Sequence, residues 1–242
     1  MPALSVQLYS IRDAVAADLP GALARLAEIG FSRVEPFDLS DPERLRDALA
    51  GAGLTAPSAH AQLDDERIFE AAATVGVETL ILPFTPPERW TSAAGVDGVA
   101  EELGRAAGAA GRHGLRVGYH NHQWELANRV GDRSALEHLA GRLPPEVVLE
   151  LDTYWAAVGG EDVPDLLARL GDRVRLLHLK DGPISDDTAA QLPLGSGAMP
   201  VAAVLEAATA AELAVLEFDD YAGDLFEGLA AGRAFADGLG VR

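Results

Sequence analysis

Hydrophobic and polar positions along the chain follow two alternating rhythms. Short apolar runs of β type are separated by longer Ala/Leu-rich stretches with helical spacing, and the alternation recurs eight times. The strand-like runs are LSVQLY (4–9), SRVEPF (32–37), LTAPSAH (54–60), TLILPF (79–84), RVGYHNH (116–122), VVLELD (147–152), VRLLHLKD (174–181) and LAVLEFD (213–219). Helices are predicted near 19–29, 41–51, 64–75, 95–113, 132–142, 162–170, 200–211 and 222–238. Asp41-Pro42 and Pro200 suit a cap or first turn, and Gly30, Gly114 and Gly171 follow helix ends. Strands this uniformly apolar, interleaved with helices, belong to a parallel sheet buried on both faces. Eight such units predict an α/β fold of the (β/α)8 TIM-barrel type. The competing doubly wound sheet lacks a Gly-x-Gly-x-x-Gly after the first run. No linker, repeat array or low-complexity tract divides residues 1–242, so one domain is expected.

The length agrees, since 242 residues is the size of one such barrel (~200–250). The chain has no cysteine, which excludes disulfides, thiolate metal sites and cysteine nucleophiles. The first residues lack the basic start and apolar core of a signal peptide, and no apolar run reaches membrane-spanning length. A soluble, cytoplasmic protein is expected. Net charge is −19, with 38 acidic against 19 basic residues, and no basic cluster interrupts it. That surface repels phosphate backbones and argues against nucleic-acid binding. Of the basic residues 18 are arginine and one, Lys180, is lysine. If Arg has replaced Lys wherever either serves, the survivor marks a place that needs an ammonium; chance retention is the alternative.

Barrel active sites lie at the C-terminal ends of the strands. Four consecutive ends carry polar pairs at i, i+2: His120/His122, Glu150/Asp152, His178/Lys180 and Glu217/Asp219. Side chains alternate along a strand, so each pair faces one way, while Tyr119, Leu149, Leu151, Leu177, Leu179, Leu216 and Phe218 turn to the helices. His60 ends another strand. His113, in a last helical turn, and His138, on an exposed helix face, read as structural. Imidazoles and carboxylates without thiolate suit Mn²⁺, Mg²⁺, Co²⁺, Fe²⁺ or Zn²⁺, without choosing among them. Acids packed this densely would otherwise repel one another and take up protons. Gln7, Tyr9 and His60 are candidates for binding hydroxyls. Trp124 and Trp155 could wall a sugar face or simply pack. GSGAMP (195–200) precedes a helix, where an anion could bind, although a plain loop turn explains it as well.

The segments YHNHQWE, LELDTYWAAVGG, LLHLKD, LGSGAM and VLEFD resemble the xylose isomerase-like TIM-barrel superfamily of sugar (phosphate) isomerases and epimerases, in a subgroup with a Tyr-His-Asn-His motif. The resemblance implies a divalent metal ion held at the positions of His120, Asp152, His178 and Glu217. His120 stands where relatives carry glutamate, so the paired-glutamate proton transfer of related epimerases does not carry over directly, and His122 is an alternative for either part. It also implies isomerisation or epimerisation of a sugar or keto-sugar by proton abstraction through an enediolate. Glu217, His122 and Glu35 are the candidates for moving protons, with Lys180 polarising a carbonyl. The alternatives are a metal-dependent lyase or dehydratase acting on a keto-sugar or inosose, and a catalytically silent sugar-binding barrel. A related family that cleaves DNA at abasic sites uses a multi-metal, histidine-rich centre; the acidity of this chain and its shortage of further ligands argue against that. A small, unphosphorylated sugar is the expected partner, and a homo-oligomer is possible because exposed barrel faces often pair.

Overall fold

A computed structural model describes residues 1–242. Seven parallel strands form one curled sheet in the order β1-β9-β8-β7-β4-β3-β2. They are β1 (Ala3–Val6), β2 (Ser58–His60), β3 (Thr79–Leu82), β4 (Arg116–His120), β7 (Val147–Asp152), β8 (Val174–Leu179) and β9 (Leu213–Leu216). A small antiparallel ladder, β5 (Arg129–Val130) with β6 (Arg133–Ser134), stands apart. The helices α2 (Leu19–Ile29), α3 (Pro42–Ala52), α4 (Arg67–Val75), α5 (Ala93–Gly111), α7 (Ala135–Arg142), α9 (Val163–Leu170), α10 (Val201–Ala207) and α11 (Leu225–Gly238) wrap the outside, giving a (β/α)8 TIM barrel.

The predicted second strand, 32–37, is not a ladder. It joins its neighbours at two isolated parallel bridges, Gln7↔Glu35 and Arg33↔Thr55. The reason is Pro36 and, opposite it, Pro57, which have no N–H to donate. Their carbonyls still accept, Pro36 from His60 N–H and Pro57 from Glu78 and Thr79 N–H. This segment closes the barrel between β1 and β2. Several other strands end earlier than predicted. The first stops at Val6 because residues 8–11 wind into a 3-10 turn, with the Gln7 side chain accepting the Tyr9 N–H (3.1 Å). Short helices α1 (Arg12–Ala17), α6 (Trp124–Ala127) and α8 (Thr153–Val158) were not predicted. α8 starts at Asp152, whose Oδ1 caps it by accepting the Trp155 N–H (2.8 Å). No helix is long and apolar enough to cross a membrane.

Packing separates the barrel into two levels. The main core lies between strands and helices, while Ile81, Val148, Leu176, Leu213 and Val215 form a separate apolar plug. Val148, Leu176 and Val215 each stand two residues before a site residue, so the plug fills the inside of the barrel beneath the site. Gly118 makes room for it: a Cβ there would sit 2.5 Å from Ile81 Cδ1 and 3.1 Å from Val148 Cγ2. Above this plug the inward positions become polar, except for Pro83, two residues after Ile81.

Candidate active site

The polar level is built from one or two residues per strand. Glu35 comes from the closing segment, Ser58 and His60 from β2, His120 from β4, Glu150 and Asp152 from β7, and His178 from β8. Lys180 and Glu217 lie just past the ends of β8 and β9. All nine are buried. A register shift between Leu149 and Glu150 brings Asp152 level with His178 across the β7–β8 pair.

The two central imidazoles each face two ways. His178 turns Nε2 down to Glu35 Oε1 (2.8 Å) and Nδ1 up to Glu217 Oε2 (2.7 Å). His120 turns Nδ1 to Glu150 Oε2 (3.1 Å) and Nε2 toward Asp152 Oδ2 (3.7 Å). Below them His60 Nε2 lies between Glu150 Oε2 (2.6 Å) and Glu35 Oε1 (3.0 Å). Glu35 also accepts hydrogen bonds from Gln7 Nε2 (2.8 Å) and from the Ser58 hydroxyl. At the top, Lys180 Nζ joins Asp152 Oδ2 (2.5 Å) to Glu217 Oε2 (2.6 Å).

Burial and charge divide the protons among these groups. Burial pulls His60 down, but Glu35 and Glu150 outweigh it and raise it to about 9. His178 is raised well above the ordinary range because Glu150, Glu217 and Glu35 overcome its burial. His120 goes the other way: burial, reinforced by His178, His60 and Lys180, holds it well below the ordinary value, so it stays neutral with a free lone pair. Burial and the nearby Glu35 charge lift Glu150 to about 7. Burial would also raise Glu217, but Lys180 and His178 bring it below the usual carboxylate range. Burial lifts Asp152 against the pull of Lys180.

This arrangement fits a divalent ion. His120, Asp152, His178 and Glu217 present donor atoms within 4.8 Å of one another. Each of these two histidines turns its other nitrogen to a buried carboxylate, the arrangement that orients metal-binding imidazoles. Glu150 Oε1 is buried with no hydrogen-bond partner, an unsatisfied acceptor in the cluster. His60, His120, Glu150 and His178 form a second, overlapping donor set one level lower. Metal binding to either set would displace a proton from His178, and from His60 in the lower set.

The YHNHQWE segment divides its labour. Tyr119 donates its hydroxyl to Glu125 Oε1 (2.6 Å), and Glu125 Oε2 accepts the His122 N–H (2.9 Å), closing the turn after β4. Asn121 clamps the Asp152 backbone, accepting its N–H (2.9 Å) and donating to its carbonyl (3.2 Å). His122 leaves the strand direction and stacks on Trp124 with ring centroids 4.3 Å apart. A cleft of about 390 Å³ opens above His60, His120 and Glu217, lined also by Tyr9, Phe37, Phe84, His122 and Asp219. Tyr9, His60, His120, His122 and Glu217 therefore meet at the mouth, with Trp124 behind His122.

Gln7, Glu35 and Trp155 do not reach this cleft. Gln7 and Glu35 are fully buried: the Gln7 amide is spent on Glu35 and the Tyr9 N–H, and the Glu35 carboxylate on Gln7, Ser58 and the imidazoles above it. Trp155 is buried against Tyr154. Glu150 and Ser58, given no role from sequence, belong to the cluster; their phase, two residues before Asp152 and His60, was the available signal. His113 lies just past α5 against Phe69, and His138 is half-buried on Asp97 (2.9 Å) rather than exposed. The GSGAMP amides bind an internal anion. Asp181 Oδ2 accepts the N–H groups of Gly195 (2.9 Å) and Gly197 (3.1 Å), and Oδ1 accepts those of Gly182 (2.8 Å) and Met199 (3.0 Å). The loop-turn reading therefore holds there.

Fold and cluster together define a TIM barrel with a histidine–carboxylate centre at the C-terminal ends of its strands. The chain belongs to the xylose isomerase-like TIM-barrel family, whose model matches residues 23–232. No curated protein matches the sequence. Among solved structures it is similar to a sugar phosphate isomerase/epimerase from Parabacteroides distasonis, with a TM-score of 0.81 and 24% identity over 97% of this chain and 93% of that one. It is similar also to D-psicose 3-epimerase in the presence of D-fructose, with a TM-score of 0.69 and 14% identity over 98% and 99% of the two chains. The IOLI protein with a binding zinc atom superposes with a TM-score of 0.70 and 13% identity, covering 98% and 97%.

Proposed function

We propose that this protein is a divalent-metal-dependent isomerase or epimerase of an unphosphorylated sugar or keto-sugar. The observation that carries the reading is the two-faced placement of His120 and His178, each with one nitrogen on a buried carboxylate and the other facing Asp152 or Glu217. His120, Asp152, His178 and Glu217 would hold the ion. Its chemistry there would be that of a Lewis acid, acidifying the C–H beside a carbonyl and stabilising the enediolate that follows. Similarity to sugar isomerases and epimerases, and to a zinc-binding barrel, supports the same reading.

The chain's own residues supply the rest. Tyr9, Phe37 and Phe84 give the cleft apolar walls for a sugar face. Glu217, ionised and at the cleft, takes the proton from the substrate carbon. His122, on the same cleft, is placed to return one, to the opposite face for epimerisation or to the neighbouring carbon for isomerisation. The Lys180 ammonium steadies the oxyanion, and Glu35 positions His60 and His178 from below. With the GSG amides already taken by Asp181, no phosphate pocket is formed from them.

The test is to load the protein with Mn²⁺, desalt it and measure metal by elemental mass spectrometry, for wild type and Asp152→Ala. About one ion per chain, lost in the variant, is expected, followed by deuterium uptake from solvent into a reactive keto-sugar. No retained metal in the wild type would sink the reading.

A further inference from the structure

Lys180 stands among three carboxylates. Its Nζ lies 2.5 Å from Asp152 Oδ2, 2.6 Å from Glu217 Oε2 and 3.4 Å from Asp219 Oδ2. The partners are of two kinds. Asp152 and Glu217 are the deep pair that His178 and His120 also face. Asp219 lies on the cleft, with its side chain 26% exposed. Gln191 fixes it there, donating from Nε2 to Oδ2 (2.7 Å) and accepting the Asp219 N–H (2.9 Å).

A divalent ion entering among His120, Asp152, His178 and Glu217 competes with the ammonium for the deep pair but not for Asp219. Lysine suits such competition, being a compact charge on a flexible four-carbon stem; a planar, forked guanidinium would be held by geometry as well as charge. This gives a physical reason for the one lysine in a chain that otherwise uses arginine.

We propose that Lys180 is a displaceable counter-cation. It holds Asp152 and Glu217 together while no divalent ion is bound, then yields them and moves onto Asp219, bringing its ammonium to the cleft. Metal binding thereby arms the residue that meets the substrate oxyanion, so the metal must precede the substrate. The inference rests on the metal reading given under Proposed function.

Two measurements test it. The first is Mn²⁺ affinity by isothermal titration calorimetry for wild type and Lys180→Met. At ~4 Å, even full aqueous screening leaves an ammonium–dication repulsion worth about thirty-fold in affinity, so the variant is expected to bind at least about ten-fold more tightly. The second uses wild type alone and stands if the variant fails to fold. Reductive methylation with formaldehyde is followed by peptide mass spectrometry with and without Mn²⁺; the only other amine is the N-terminus. Lys180 should react several-fold faster with Mn²⁺ present. Equal or weaker affinity in Lys180→Met, or Lys180 labelling unchanged or slowed in metal-bound wild type, would overturn the displacement and leave the metal reading intact. Failure of wild type and Lys180→Met alike to bind Mn²⁺ would remove both.

Discussion

Replacing Asp181 by asparagine removes one acceptor atom and one charge while keeping shape. Asp181 is 2% exposed and accepts four backbone N–H groups, two on each oxygen. In Asp181→Asn one oxygen remains and serves two of them; the other arm becomes an NH2 facing two N–H donors. Each buried donor left without a partner costs ~1–3 kcal/mol, so the pair costs roughly 2–6 kcal/mol, before the charge assistance lost at the two surviving bonds. Against a typical total stability of about 5–15 kcal/mol, this is a severe loss for an isosteric change. The assay is urea unfolding followed by tryptophan fluorescence, with Asp186→Asn as control, since Asp186 is exposed and loses the same charge. The control should lie within about 0.5 kcal/mol of wild type. An Asp181→Asn stability within that same margin would refute the view that loop 182–199 hangs on this carboxylate.

Three further outcomes are expected. Gly118→Ala should cost ~1–3 kcal/mol by forcing a methyl against Ile81 and Val148; adding Ile81→Val should recover part of it in thermal melts, and an additive double mutant would contradict the clash. Metal-free protein should lose stability as pH rises from about 6 to above 9. His60, raised from 6.5 to about 9, stabilises the fold fully below its unfolded value and loses that contribution as pH passes 9. Glu150, raised from 4.5 to about 7, loses its contribution lower, between about pH 4.5 and 7, so a melting temperature in EDTA that climbs from pH 7 to above 9 would refute the His60 assignment. Glu125→Gln leaves a donor facing either the Tyr119 hydroxyl or the His122 N–H and should cost roughly 1–3 kcal/mol, with a shifted His122 signal in NMR spectra; an unmoved His122 resonance would mean Glu125 does not set that turn.

Much of the barrel was legible because helix and strand periods differ so clearly. The helix expected at 19–29 is α2 to the residue, ended by Gly30 at φ 105°. What escaped were places where main-chain hydrogen bonding overrides side-chain pattern. SRVEPF is apolar enough for a strand, yet Pro36 and Pro57 leave only isolated bridges. RDAVAA is too short a window to reveal α1. The polar phase at strand ends identified His120, Asp152, His178, Lys180 and Glu217 as neighbours, because parallel strands in register put equal heights together. The same phase could not tell which level each occupies, so Glu35 was expected at the mouth and is found in the floor, and Glu150 received no role. Asp181 meets amides 14 to 18 residues further on, a pairing that no local spacing announces.

The segment around Glu35 makes the weakest seam of the sheet also its most heavily tied. Few main-chain bonds hold it: Glu35 N–H to Val6, Leu8 N–H to Glu35, Val34 N–H to Thr55, Thr55 N–H to Ser32 and His60 N–H to Pro36. Its carboxylate, however, reaches Gln7 on one flank, Ser58 and His60 on the other, and His178 from across the barrel. The floor of the site is thus the clasp of the hoop. Changes that retune the site pull on the clasp as well, so evolution of a new specificity here is expected to trade against the integrity of the whole cylinder. Amide exchange along residues 33–35 would register that trade before any assay of turnover.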